Sequence, residues 1–226
     1  MTNGPADNSR TLNGVAIAPA SLAESYSEPV IKVGVRLPPL TGSAGEYLAD
    51  VTALEAAGAD TIWLEMGGLD AWVVMGALAA ATHRMRLGCI LERDVLRGAA
   101  HPEAGIAAVQ KLSRGRIVLA APADDLAHVA TAGAKRFSLG EAHGVPVDGV
   151  IHQVDSSAEM PRPADAQVEA WGEIAMPADR DAWSAAMSAY GAAGVTGVIV
   201  RWDTRLVDLL RNAEPDDRSD LLMSTG

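Results

Sequence analysis

The sequence predicts an α/β fold built on a parallel sheet, and two observations carry that expectation. Short runs rich in Val, Ile and Leu alternate with longer segments of helical period. The joint from helix to strand also recurs almost unchanged, as Ala57-Gly58-Ala59-Asp60, Ala132-Gly133-Ala134-Lys135 and Ala193-Gly194-Val195-Thr196. At each joint Gly supplies the left-handed cap that turns the chain straight back into a strand. Joints this short imply a tight βαβ progression, whose strands run parallel. An open doubly wound sheet and a closed (β/α) barrel both satisfy the repeat.

Residues 31–37 form the opening strand, closed by Pro38 and Pro39. Ser43 in the turn that follows is placed to cap a helix over 45–57, where Tyr47, Leu48, Val51 and Leu54 share one face. Residues 61–64 read as a buried strand. The alternation continues with a helix at 72–82, a strand at 85–91, a helix at 102–112, a strand at 116–120, a helix at 126–131 and a strand at 135–139. It ends with a helix at 180–193, a strand at 197–201 and a helix at 206–212. Between 140 and 176 the rhythm breaks. Residues 147–154 and 168–175 read as strands, but Pro161, Pro163 and their polar neighbours make the link a loop.

A complete eightfold barrel takes about 250 residues. The 226 present allow seven or eight strands, with one or two helices missing in the second half. A missing helix is expected to leave an apolar flank covered by self-association, hence a homodimer. Residues 1–30 lack periodicity and are expected to form a flexible arm, 31–212 a single domain and 213–226 a loose tail.

The net charge of −11 comes without a basic run, which argues against a nucleic-acid partner. The longest apolar stretches, such as 71–81, are too short to span a bilayer. Residues 1–28 lack the pattern of a secretory leader, and a lone Cys89 cannot form an internal disulfide. A cytoplasmic location is expected.

Three segments stand in one order: residues 54–64 (Leu54 to Leu64), residues 79–89 (Ala79 to Cys89), and His101-Pro102 followed by 109–119 (Val109 to Leu119). In that order they resemble the luciferase-like monooxygenases, the bacterial-luciferase-like flavin and deazaflavin oxidoreductases. The resemblance implies a (β/α) TIM-like barrel, here shortened, with FMN or a deazaflavin coenzyme at the C-terminal ends of the strands. It also implies that Cys89 and Ile90 form a backbone bulge supporting the flavin ring, through a peptide bond that is cis in several relatives. A small buried residue in a plain strand is the other reading of Cys89. The implied activity is that of an oxidoreductase on a small organic substrate. The alternative is a non-catalytic barrel acting as a flavin-binding or interaction protein, or one with no cofactor.

Two departures from the family pattern bear on the choice. Glu65-Met66 stands where Asp-His is usual, and Met66 cannot move a proton. Ala120-Ala121-Pro122 replaces a Gly-rich turn, and Pro122 has no N–H to offer a ligand.

Arg36, Glu65, Glu92 and Arg201 fall at the expected strand C-termini, where barrels place their chemistry. They either pair with one another or form a polar ligand site. In Arg201-Trp202-Asp203 a cation and an indole face could hold an anionic or planar group, unless Asp203 or Thr204 only caps the last helix. The expected cofactor-binding set is therefore Arg36, Glu65, Cys89, Ile90, Arg201 and Trp202, with no catalytic residue singled out. The five histidines lack metal-ligand spacing, and no nucleophile elbow or P-loop is present. His101 is read as a local cap or a ligand contact. Trp183, Met187 and Tyr190 have the spacing of a packed helix face.

Overall fold

Eight strands of five residues each pair in parallel with their neighbours in sequence, and the last pairs with the first, so the sheet closes into a barrel. A computed structural model describes residues 31–66, 69–93, 96, 102–161 and 165–211. The arm expected at 1–30, the tail at 213–226 and His101 lie outside the described residues. The strands are β1 (Lys32–Arg36), β2 (Thr61–Glu65), β3 (Arg86–Ile90), β4 (Ile117–Ala121), β5 (Lys135–Leu139), β6 (Gly149–Gln153), β7 (Glu169–Glu173) and β8 (Gly197–Arg201). Closure runs in register from Lys32↔Gly197 to Arg36↔Arg201. The repeat thus resolves as a barrel and not as a doubly wound sheet.

Among the described residues the helices with defined bounds are α1 (Ala44–Ala57), α2 (Leu69–Ala81), α3 (Pro102–Leu112), the single turn α4 (Ala123–Leu126), α5 (Arg180–Ala192) and α6 (Leu206–Arg211). No helix joins β5 to β6, and among the described residues only a 3-10 turn, Ser157–Glu159, lies between β6 and β7. Helix loss in the second half is as expected. Ser43 caps α1 by accepting from the Glu46 N–H at 3.4 Å, and Gly58 ends it at φ 101°. Gly133 and Gly194 are also left-handed, at φ 83° and 77°.

Two helix boundaries differ from the sequence reading. α2 begins at Leu69, ahead of the expected 72, because beyond Asp70 it carries no polar residue and so no period to mark its start. The helix expected at 126–131 is the turn 123–126. Asp124 and Asp125 favour a helix start directly behind Pro122.

The walls have two faces. Val33, Val35, Ile62, Leu64, Leu87, Cys89, Leu119, Val198 and Val200 point outward into the core shared with the helices. Trp63, Val118, Ala120, Phe137, Ile151, Trp171 and Ile199 point into the barrel. Three aromatic side chains fill its middle, with centroids 5.9 Å apart for Trp63–Phe137 and 6.4 Å for Phe137–Trp171. Glycines make the room. A Cβ on Gly88 would lie 2.2 Å from the Trp63 ring, one on Gly149 2.7 Å from Phe137, and one on Gly197 2.6 Å from Trp171.

Beneath this layer, at the N-terminal pole, Arg86 bonds Asp60 (2.5 and 2.8 Å) and Glu169 (3.1 Å). Its guanidinium lies 5.1 Å from the Trp171 centroid. Lys135, Lys32 and the Trp171 indole N–H converge on the same Glu169. Burial works to raise the Glu169 pKa, but these cations and donors prevail and hold it down at about 2. On the outer side, Arg116 donates to the carbonyls of Ala79, Thr82 and Met85, closing the C-terminal end of α2.

The helix-poor flank is not the apolar surface expected. The outward residues of β5, β6 and β7 include Ser138, His152, Ala170 and Gly172. The last is packed by Met160, Val154 and Tyr190, which would meet a Cβ there at 3.2 to 3.5 Å. Among the described residues the exposed large apolar side chains are instead Val73 on α2 (73% exposed) and Leu112 on α3 (59%).

The glycine–aromatic fit predicts opposite signs for two Gly→Ala changes. Gly88→Ala forces Trp63 to move and lowers stability by about 1–3 kcal/mol. Gly191→Ala, in α5 with open space at its Cβ position, raises stability by roughly 0.5 kcal/mol. Urea unfolding midpoints of the two variants check this.

Candidate functional site

Because each strand alternates inward and outward, the last residues of several strands also face inward and meet at the C-terminal rim. Arg36 ends β1, Glu65 ends β2 and Glu173 ends β7. Arg36 Nη1 donates to both Glu173 oxygens, at 2.7 and 2.9 Å, and Nη2 donates to Glu65. Burial works to lower the Arg36 pKa, yet the hydrogen bonds and charges of Glu65 and Glu173 outweigh it and raise the value. The guanidinium is therefore held charged between two carboxylates.

Beside this clamp opens a hollow of about 360 Å³. Its floor is apolar, formed by Ile90, Leu139, Ile151 and Ile199 near the ends of β3, β5, β6 and β8. Its rim is polar, formed by Arg36, His152, Gln153 and Glu173. Among the described residues the Gln153 side chain has no hydrogen-bond partner, which leaves it for a ligand, whereas His152, one step out of phase on β6, turns its side chain to the outer face. Burial lowers the His152 pKa, opposed by the charge of Glu141. A second hollow of about 610 Å³ shares Gln153 and Glu173 and continues past Asp155, Glu159 and Met176 to Arg201. Arg201 has no ion pair or hydrogen bond among the described residues.

A groove of about 480 Å³ lies at the opposite pole. Its acids already have protein partners. Glu55 accepts the backbone N–H groups of His83, Arg84 and Met85, and Asp60 holds Arg86. That groove is a structural seam. Among the described residues no three His, Cys, Asp or Glu side chains come together as a metal site.

The expected residues divide. Arg36 and Glu65 meet in the clamp, Ile90 lies on the floor of the smaller hollow, and Arg201 borders the larger one. Cys89 is turned away. It is fully buried in the core between wall and helices, and β3 pairs without interruption through Leu64↔Cys89 and Cys89↔Leu119, so no bulge is present and the described peptide bonds are all trans. Trp202 packs on the same outer core. Asp203 binds Arg205, not Arg201, and those hydrogen bonds hold its carboxyl at about 2. Glu92 is exposed beyond β3 and lines neither hollow.

Sequence reasoning missed Glu173 and Gln153. It ran the sixth and seventh strands to 154 and 175, past the positions where they end, so these residues did not stand out as strand C-termini. Counting five residues per strand from the other members would have exposed them.

The model of the family described as luciferase-like monooxygenase matches residues 29–144, just over half of the chain. The chain belongs to the luciferase-like monooxygenase family. Among curated proteins none matches it. Solved structures agree with the barrel architecture. A coenzyme F420-dependent tetrahydromethanopterin reductase from Methanopyrus kandleri is 10% identical, with a TM-score of 0.62 over 80% of this chain and 96% of that one. An F420-dependent secondary alcohol dehydrogenase, solved with an F420-acetone adduct, is 10% identical, with a TM-score of 0.63 over 82% and 98%. A tryptophan synthase α-subunit from Pyrococcus furiosus is 14% identical, with a TM-score of 0.55 over 80% and 94%. At these identities the likeness speaks for the fold. Within this luciferase-like barrel no described helix is long and apolar enough to cross a membrane.

Burial pushes the Cys89 thiol up to about 12. In the native protein it is expected to resist an aromatic disulfide reagent and to react fully only in denaturant. Fast labelling of the folded chain would contradict its position in the wall.

Proposed function

We propose that the chain seats a flavin or deazaflavin ring at the C-terminal mouth and serves as an oxidoreductase on a small organic substrate. The observation that carries this reading is the smaller hollow, an apolar floor with a free hydrogen-bonding group on its edge. Such a surface suits a flat ring that is apolar on its faces and polar at its margin. Ile90, Leu139, Ile151 and Ile199 would lie under the ring, Gln153 would meet its polar edge, and the Arg36 clamp would fix that edge from the β1 side. When bound, the ring supplies hydride or oxygen chemistry, while the protein contributes position and exclusion of water. The family membership and the two F420-dependent structures support the same choice of ring.

The described residues fit the ring better than they fit a phosphate. Helices α1, α3, α4, α5 and α6 carry Glu46, Glu103, Asp124 with Asp125, Asp181 and Asp208 in their first turns. Such carboxylates oppose an anion at a helix N-terminus. Pro122 withholds an N–H after β4.

A second reading keeps the ring but not the turnover. Met66, directly after β2, is almost fully buried and cannot act as an acid or base, so a flavin-carrying barrel without catalysis accounts for the site equally well. Titration with FMN and with F420, followed by ring fluorescence, tests the first step. Saturable binding of one of them is expected, and Ile90→Arg should weaken it at least tenfold with the circular dichroism spectrum unchanged. Reduction by a nicotinamide donor separates the enzyme from the carrier. If neither compound binds, the proposal fails.

A homodimer belongs to the same proposal, formed through the outer face of α2 and α3, because α2 is apolar all round beyond Asp70 and leaves Val73, with Leu112 of α3, exposed unless a partner covers them. Sedimentation should give a dimer and Val73→Glu a monomer. A monomeric native chain would refute this.

A further inference from the structure

The charge of the mouth limits what can enter it. Arg36 is spent on Glu65 and Glu173, so the clamp carries one positive and two negative groups. Among the described residues the larger hollow adds Asp155, Glu159 and the unpaired cation Arg201. The described part of the opening thus sets four carboxylates against two guanidinium groups. Glu159 is not neutralised by its hydrogen bonds, since it accepts from the Asp155 N–H and the Ser156 hydroxyl, both uncharged donors. Tyr190 nearby registers the field. Burial and the charges of Glu159 and Asp155 all raise its pKa.

We infer that this mouth selects ring compounds that are uncharged or positively charged and disfavours their phosphorylated forms. The inference rests on the ring-binding reading above and goes beyond it by naming the charge class of the ligand. A phosphate monoester carries close to two negative charges at neutral pH. Against two excess carboxylates about 10 Å away in a water-like medium, the repulsion amounts to a factor on the order of ten in affinity at low ionic strength. Added salt screens it.

The probes are riboflavin and FMN, which share one ring and differ by the phosphate, titrated against the full chain by fluorescence quenching at low and raised salt. Riboflavin is expected to bind about tenfold more tightly than FMN at low salt, with the gap closing as salt rises. The double variant Asp155→Asn, Glu159→Gln should tighten FMN severalfold and leave riboflavin unchanged. FMN binding as tightly as riboflavin at low salt, or a double variant that does not improve FMN, overturns the charge selection while leaving the ring site standing. Absence of binding by both overturns the ring site and this inference with it.

Discussion

Three large aromatic side chains occupy the axis of the barrel, and everything else in the molecule adjusts to them. Trp63, Phe137 and Trp171 are fully buried, and glycines paired with them on the neighbouring strands surrender their side-chain volume to admit them. The barrel is therefore solid at mid-height, as packed interiors of this kind are. One cost remains, because the Trp63 indole N–H has no hydrogen-bond partner. The plug also divides the inward-facing residues into two populations. Those below it, Arg86 and Glu169 among them, neutralise one another around the aromatic rings. Those above it line an open rim. The plug keeps the two populations apart.

Much of the fold was legible in the sequence because it depends on local rules. The Ala-Gly joints announced left-handed turns, and Gly58, Gly133 and Gly194 adopt them. Hydrophobic runs announced the strands, and their spacing announced parallel pairing. Closure was not legible in the repeat, since β1 and β8 must find each other across the whole chain and nothing local records that they do. It was the resemblance to the luciferase-like family that implied the barrel, and the sheet closes as one. The boundaries of α2 and of the turn 123–126 were also hidden, the first by a helix without amphipathic period and the second by acids favouring an earlier start.

The candidate site was legible only in part, for a related reason. Arg36, Glu65, Ile90 and Arg201 could be found from strand ends, and period two then decides whether such a residue faces the hollow or the helices. Cys89 and Trp202 sit one step out of phase with Ile90 and Arg201, and a single step moves a side chain through the wall. Glu173 was missed although it completes the clamp, because an Asp or Glu late in an apolar run gives no sign of which strand it ends.

The clamp has a consequence for how the molecule assembles. Arg36 and Glu173 are 137 residues apart in sequence, and β8, the last strand made, lies between their strands. The rim therefore cannot exist in a partly wound sheet, even one with most of its helices docked. Contacts of such long range are late events in folding, so the ligand-facing opening is the final piece of tertiary structure to mature. An intermediate stalled before that point would display the inner aromatic residues through an open seam, and protection from association would depend on how quickly the two ends of the sheet meet.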